Sequence, residues 1–285
     1  MSFWIGFQKG REHKKSCPKL FKYSEFIFLS ETLFVKRRFQ IVFSLPNRKQ
    51  LMDVYLFLIA TERATTDVTQ TLGPQGILDL AVTFPGIRRT VVHVPVEGGA
   101  NDPYLHAEAP PRCTLQAYFD SIDALESVLR EGGNAHALLN LTGLKECDLT
   151  QQVMAVRRFP VPDSSTQLAD DPRCTYLVSY EGPAENLNAW LGHYIDSHPP
   201  IMARFPGIRE IEIYTRMDYR GALPVARSNA MQRNKVVFDS PNALNAALAS
   251  PVRHEMRADF KNFPPFSGAN LHFPMISSAR DFTAA

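Results

Sequence analysis

"FPGIRR" at residues 84–89 returns as "FPGIRE" at residues 205–210, a displacement of 121. The same displacement carries Tyr55-Leu56 onto Tyr176-Leu177, and Phe119-Asp120-Ser121 returns as Phe238-Asp239-Ser240 at a displacement of 119. Three matches in one order at a nearly constant offset mark two copies of one unit. The copies span residues 52–162 and 173–285, and the polar stretch "DSSTQLADDP" at 163–172 joins them.

The second copy gives the unit its shape. "CTYLVSY" from Cys174 has the β-branched and aromatic content of a strand, and Gly182-Pro183 closes it. Leu187, Trp190, Leu191, Tyr194 and Ile195 then follow helical i, i+3, i+4 spacing. "GIREIEIYTR" alternates, a long loop follows, and "RNKVVF" reads as a strand. Ser240 and Pro241 begin a helix through Phe260 as N-cap and first residue, and "ANLHFPM" closes the unit as a strand. The order is βαββαβ, the ferredoxin-like unit. The first copy follows it with strands at 52–61, 86–94, 113–119 and 151–161, helices at 72–83 and 121–132, and extra residues at 133–149. Each sheet carries helices on one face and must bury the other. The expected fold is therefore α+β: two tandem ferredoxin-like (βαββαβ) units forming a pseudo-dimeric α/β barrel within one chain.

Residues 190–217, "WLGHYIDSHPPIMARFPGIREIEIYTRM", closely resemble the EthD family of dimeric α/β-barrel proteins. The family pattern of His-Tyr, His-x-Pro-hydrophobic and Pro-Gly falls on His193-Tyr194, on His198, Pro200 and Ile201, and on Pro206-Gly207. Residues 236–275 resemble the same family's closing strand, helix and strand. In the first copy the offset puts Leu72 where His193 stands and Ile77 where His198 stands, so the chain should hold at most one site with that histidine pair. The resemblance implies a protein of catabolic or biosynthetic operons acting on a small metabolite.

Several residues carry candidate chemistry. Pro199 and Pro200 lack a backbone N–H, so the helix is expected to break after Ser197 and leave His198 at the break. His198 can act as a general acid or base near neutral pH, with Tyr194 or Asp196 orienting it; the bland alternative is a histidine that caps a corner. Tyr214 would assist as a hydrogen-bonding partner, with Trp190 and Met202 as apolar wall and His193 nearby. On the strand after Gly207, Ile211 and Ile213 should meet the helices, turning Glu210, Glu212 and Tyr214 toward the barrel interior or solvent. Arg89, Val91 and His93 form the equivalent inward set, so Arg89 is expected to meet Glu210 or Glu212. These residues make either a polar ligand cavity or an inter-sheet salt bridge. His272 is expected on the interior face, and His254 reads as a solvated helix residue.

Two functions of different class follow. One is an enzyme without a cofactor that deprotonates, cyclises, dehydrates or oxidises a small apolar or aromatic carbonyl metabolite, with His198→Ala abolishing activity at nearly unchanged melting temperature. The other is a non-catalytic binding or accessory protein. The four cysteines show no metal spacing, and no zinc motif, phosphate loop or nucleophile elbow is present, so no metal is expected. A single histidine could serve haem as proximal ligand, but nothing else matches a haem protein.

Charge separates the chain into two parts. Residues 1–51 hold 11 Lys/Arg against 3 Asp/Glu, whereas the remaining 234 residues are net −6, which removes the electrostatic basis for nucleic-acid binding there. No apolar run approaches 18 residues, and the scattered cysteines fit a cytoplasmic setting. A monomer or a homodimer of fused barrels is expected. Residues 1–51 carry ten aromatic residues without periodicity, and Met52 opens the first strand. Met52 is therefore expected as the natural start, with the leader non-native or disordered. Intact mass of protein expressed from its native locus should match a start at Met52; a mass matching Met1 would contradict it.

Overall fold

A computed structural model describes residues 53–63, 73–105, 109–164 and 172–282. The leader 1–51, Leu72 and residues 165–171 of the expected linker lie outside the described residues. The first half runs β1 (Val54–Glu62), α1 (Pro74–Ala81), β2 (Ile87–Pro95), β3 (Cys113–Phe119), α2 (Ile122–Leu129), a 3-10 helix (Asn134–Asn140) and β4 (Cys147–Phe159). The second runs β5 (Arg173–Tyr180), α3 (Leu187–Met202), β6 (Ile208–Arg216), the short β7 (Ala226–Arg227), β8 (Gln232–Phe238), α4 (Pro241–Leu248), α5 (Pro251–Phe260) and β9 (Asn270–Asp281). Strand order is β4-β1-β3-β2 in the first half and β9-β5-β8-β6 in the second, all antiparallel. β2 pairs with β9 and β4 with β6, so eight strands close into one barrel without a free edge. The fold is the α+β pseudo-dimeric barrel of two ferredoxin-like units.

The matched motifs meet at one corner in each half. Ile87 lies opposite Phe119 and Ile208 opposite Phe238. Arg88 pairs with Asp120 at 3.3 Å, and Arg209 holds Asp239 through Nε at 2.9 Å. Ser121 and Ser240 then cap α2 and α4, each accepting the backbone N–H of the residue three further on. Gly86 and Gly207 turn the chain into β2 and β6 with φ of 74° and 72°, a region that a side chain rarely adopts.

The match of Tyr55-Leu56 with Tyr176-Leu177 is out of register. Val54 faces Phe119 while Cys174 faces Phe238, so Tyr55 corresponds to Thr175 rather than Tyr176. A one-residue slip exchanges sheet faces: Tyr55 points into the barrel, whereas Tyr176 packs with the helix-side core.

Two helices also differ from expectation. α3 runs unbroken through Pro199 and Pro200. Proline already has a helical φ, so only two hydrogen bonds are lost, and a continuous helix buries Trp190, Tyr194, His198 and Met202 at four-residue spacing on one face. The expected single helix 240–260 instead divides at Pro251, where Ser250 is extended and Pro251 begins α5.

Inside the barrel, a buried carboxylate organises the polar groups. Glu212 is 1% exposed and receives Lys235 Nζ at 2.9 Å, Arg158 Nε at 3.0 Å, Tyr55 OH at 3.1 Å and Tyr118 OH at 3.2 Å, with Tyr214 OH also donating. Lys235 also reaches Glu210 at 2.8 Å. Burial opposes the charge on Glu212, but Lys235 and Arg158 outweigh it and hold the carboxyl at about 2. Arg89, expected on these glutamates, instead lies 3.7 Å from Asp281, because Lys235 on β8 faces Glu212 directly across the ladder. His93 bridges Gln116 and Ser277 at 2.7 Å each, and burial pushes it down to about 3.

Removing one partner of a buried pair leaves an uncompensated charge. Lys235→Met should cost about 3–5 kcal/mol in urea unfolding; a loss below about 1 kcal/mol would contradict the network. Acid acts in two windows. His93 titrates lower in the folded than in the unfolded protein, so its contribution falls as pH drops from about 6.5 toward 3. That of Glu212 is lost only from about 4.5 toward 2. His93→Gln should reduce the stability slope between pH 6.5 and 4.5, leaving the part that His272 and His198 contribute, and should leave the steeper acid limb.

Candidate functional site

The opposite face of β5, β8 and β9 meets α3, α4 and α5 and encloses a cavity of about 50 Å³. Its apolar lining includes Met202, Phe238, Met256 and Phe260, and its polar groups include His198, Asn234, Arg253 and His272. The volume is well below the roughly 300–1,000 Å³ usual for small-molecule pockets, so an aromatic ligand requires the walls to move.

His198 is 5% exposed and its Nδ1 lies 2.7 Å from Asp259 Oδ2. Asp259, on α5, also accepts Ser197 Oγ at 3.3 Å, and His193 Nε2 lies 3.3 Å from its other oxygen. Burial lowers the His198 pKa even though the hydrogen bond and charge of Asp259 oppose it. At Asp259 burial is the largest influence and raises the pKa, but the hydrogen bond and charge of His198, with Ser197 and His193, together outweigh it and lower the pKa. The state is a carboxylate accepting Nδ1–H from a neutral imidazole, which leaves the Nε2 lone pair without a protein partner among the described residues. A base aligned by a hydrogen-bonded carboxylate can take a proton from a carbon or oxygen acid.

Other expected residues sit close by. Tyr194 packs against His198 with ring centroids 5.0 Å apart, and its hydroxyl accepts from Asn234 Nδ2 at 2.6 Å. Trp190 stacks on Tyr194 at 5.2 Å. Both are fully buried and stand behind the cavity wall, whereas Met202 lines it. His272 also lines it, a correction to the expected barrel interior: His272 lies opposite Val178 on the helix-side face. Burial pushes His272 down to about 3, and its Nδ1 has no protein partner.

Tyr214, Glu212 and His93 lie across the sheet, inside the barrel, and do not join His198. Asp196 is exposed and makes none of the contacts that orient His198; Asp259 does so instead. His254 is exposed, as expected for a solvated residue, but contacts Tyr104 OH. In the first half the matching helix-side face is filled by apolar residues, among them Ile77, Leu125, Leu138 and Leu144. Burial also removes the expectation that His198→Ala leaves stability unchanged. That substitution strands Asp259 and should cost about 1–3 kcal/mol.

No protein-family model and no curated protein sequence matches the chain. The likeness of residues 190–217 and 236–275 to the EthD family therefore stands on those residues alone. Among solved structures, an anthrone oxidase-like protein is similar with a TM-score of 0.53 and 14% identity, covering 82% of this chain and 94% of its own. A candidate monooxygenase from Fusobacterium nucleatum subsp. nucleatum has a TM-score of 0.48 at 7% identity, covering 82% and 95%. A chlorite dismutase variant from Candidatus Nitrospira defluvii has 0.45 at 8%, covering 80% and 95%. The first likeness supports the barrel fold, and none reaches further than fold. No described helix is long and apolar enough to cross a membrane. Among the described residues, no group of three or more His, Cys, Asp or Glu side chains could hold a metal ion.

Nitrogen-15 shifts of labelled histidine should report His198 with Nδ1 protonated and Nε2 bare at pH 7, and protonation only below 6.5. An Nε2–H tautomer, or a midpoint above 6.5, would contradict this geometry.

Proposed function

We propose that the chain is an enzyme that removes a proton next to a carbonyl or phenol group of a small apolar or aromatic metabolite in the cavity between β5, β8, β9 and helices α3–α5. The observation that carries the reading is the Asp259–His198 pair, whose buried histidine lines a cavity with largely apolar walls. His198 Nε2 accepts the proton, and the Asp259 carboxylate stabilises the imidazolium that results. His272, held neutral, stands within the same lining and can donate a hydrogen bond to the substrate oxygen as it gains negative charge. Met202, Phe238 and Phe260 supply a water-poor surround in which these interactions gain strength. The EthD-like pattern at His193-Tyr194 and His198 supports the same assignment, and with it a role in catabolism or biosynthesis. Proton transfer at carbon is the step assigned; cyclisation, dehydration and oxidation by O2 are alternative fates of the resulting enolate. Tyr194, whose hydroxyl burial raises well above its ordinary pKa, acts as packing and positioning support.

Anthrone is a suitable first compound because its methylene protons are acidified by the ring carbonyl, and the fold likeness to an anthrone oxidase-like protein makes it a natural choice. Deuterium exchange into anthrone, or its oxygen-dependent consumption, should be accelerated by the wild-type chain and fall about 10²–10⁴-fold in His198→Gln, a variant that keeps a donor for Asp259. Because His198 titrates below its ordinary value, the rate should be flat from pH 8 to 6.5 and decline only at lower pH. Equal rates in wild type and His198→Gln would remove the proposed role. Binding without turnover in both would favour the accessory-protein reading.

A further inference from the structure

Arg253 lines the cavity, yet its guanidinium is held by a carboxylate from the other half of the barrel. Its Nε lies 2.9 Å from Asp102 Oδ2 and its Nη2 2.9 Å from Asp102 Oδ1, a two-point fork, while Tyr176 OH donates to Oδ2 at 3.0 Å. The Arg253 and Asp102 side chains are 11% and 4% exposed. Asp102 belongs to a strap, residues 96–105, that is neither helix nor strand. The strap leaves β2 through Gly98 and Gly99, with φ of 78° and 72°, and reaches α4 and α5. Asn101 N–H donates to Asn245 Oδ1 at 3.0 Å, Tyr104 touches His254 and lies beneath Arg253 and Arg257, and Val96 and Ala100 pack, partly buried, against the second-half core. Leu105 completes the cavity lining.

We infer that Arg253 and Tyr176 form the carboxylate anchor of the cavity, and that Asp102 occupies the anchor in place of a ligand's own carboxylate. This rests on the cavity being the functional site and narrows its ligands to apolar acids. Exchange of one carboxylate for another keeps the fork, the tyrosine hydrogen bond and the local charge balance, and returns Asp102 to water. A neutral ligand offers no such exchange: either Asp102 stays and the cavity remains small, or Arg253 is left buried and unpaired. Release of Asp102 also lets Leu105 withdraw, which enlarges the cavity where an aromatic ring would enter.

The test is calorimetric titration of the full chain with 1-naphthoate and with the neutral 1-naphthamide. Asp102→Asn keeps the shape of the side chain but removes its charge, and should bind naphthoate at least ten-fold more tightly than wild type, with naphthamide unchanged. Arg253→Gln in the Asp102→Asn background should abolish the preference for the acid. If that double variant does not fold, Arg253→Lys, which keeps charge without the fork, should weaken the preference instead. Naphthoate should also increase amide hydrogen exchange across residues 96–105 of the wild type. Equal binding of acid and amide, no tightening in Asp102→Asn, no detectable naphthoate binding, or an unaltered strap would each overturn the proposal. His198→Gln separates this inference from the catalytic reading. Acid binding that survives without His198-dependent proton exchange leaves the anchor and removes the base; the reverse leaves the base and removes the anchor.

Discussion

Alternation along a strand is the constraint on which the remaining structure depends. Successive side chains point to opposite faces, and closing the sheet turns one face wholly inward and the other wholly toward helices. Glu212 and Tyr214 therefore share an interior with Tyr55 and Lys235, while Ile211 and Ile213 pack with the helix-side core. Residues only one position apart are consequently placed in different environments. The interior is committed to its own charges, with Glu212 and Lys235 neutralising each other among tyrosine hydroxyls. The helix side of the second half keeps unspent polar groups against apolar walls.

The two environments differ in what they can do. A carboxylate with five donors has little capacity left for a ligand, and disturbing it strands buried charge. The Asp259–His198 pair instead engages one imidazole nitrogen and leaves the other, on a residue that lines the cavity, without a partner among the described residues. In the first half, Leu138 and Leu144 help fill the equivalent face with hydrocarbon. The two-unit barrel thus joins a half whose described helix-side face is packed with apolar residues to a half that retains a cavity.

Much of this was legible from residue pattern. The FPGIR and FDS matches locate one corner twice because each needs a left-handed glycine, an arginine for the following aspartate and a serine cap. The order of strands and helices along the chain followed from alternation and helical spacing. The fine register did not: Tyr55-Leu56 and Tyr176-Leu177 share letters but stand on opposite faces, which only the pairing with Phe119 and Phe238 reveals. Pro199-Pro200 looked like a break and is helical, while Pro251 divides a helix that looked continuous, because burial of the α3 face outweighs two lost hydrogen bonds. Asp259, Arg253, Lys235 and Asp102 were missed as site or network residues. Each gains its meaning from a partner at least 20 residues away in sequence, and no local spacing marks such a residue.

Under the proposed function, small-molecule binding belongs to the helix-side cavity and structure to the barrel interior. Three histidines report on the two environments: His198 and His272 line the cavity, and His93 sits inside the barrel. The most direct measurement is a titration of [ε1-¹³C]histidine-labelled protein with 1-naphthoate, followed by NMR. The account predicts that the His198 and His272 resonances move together while His93 stays fixed; movement of His93 with His198 and His272 unchanged would contradict it.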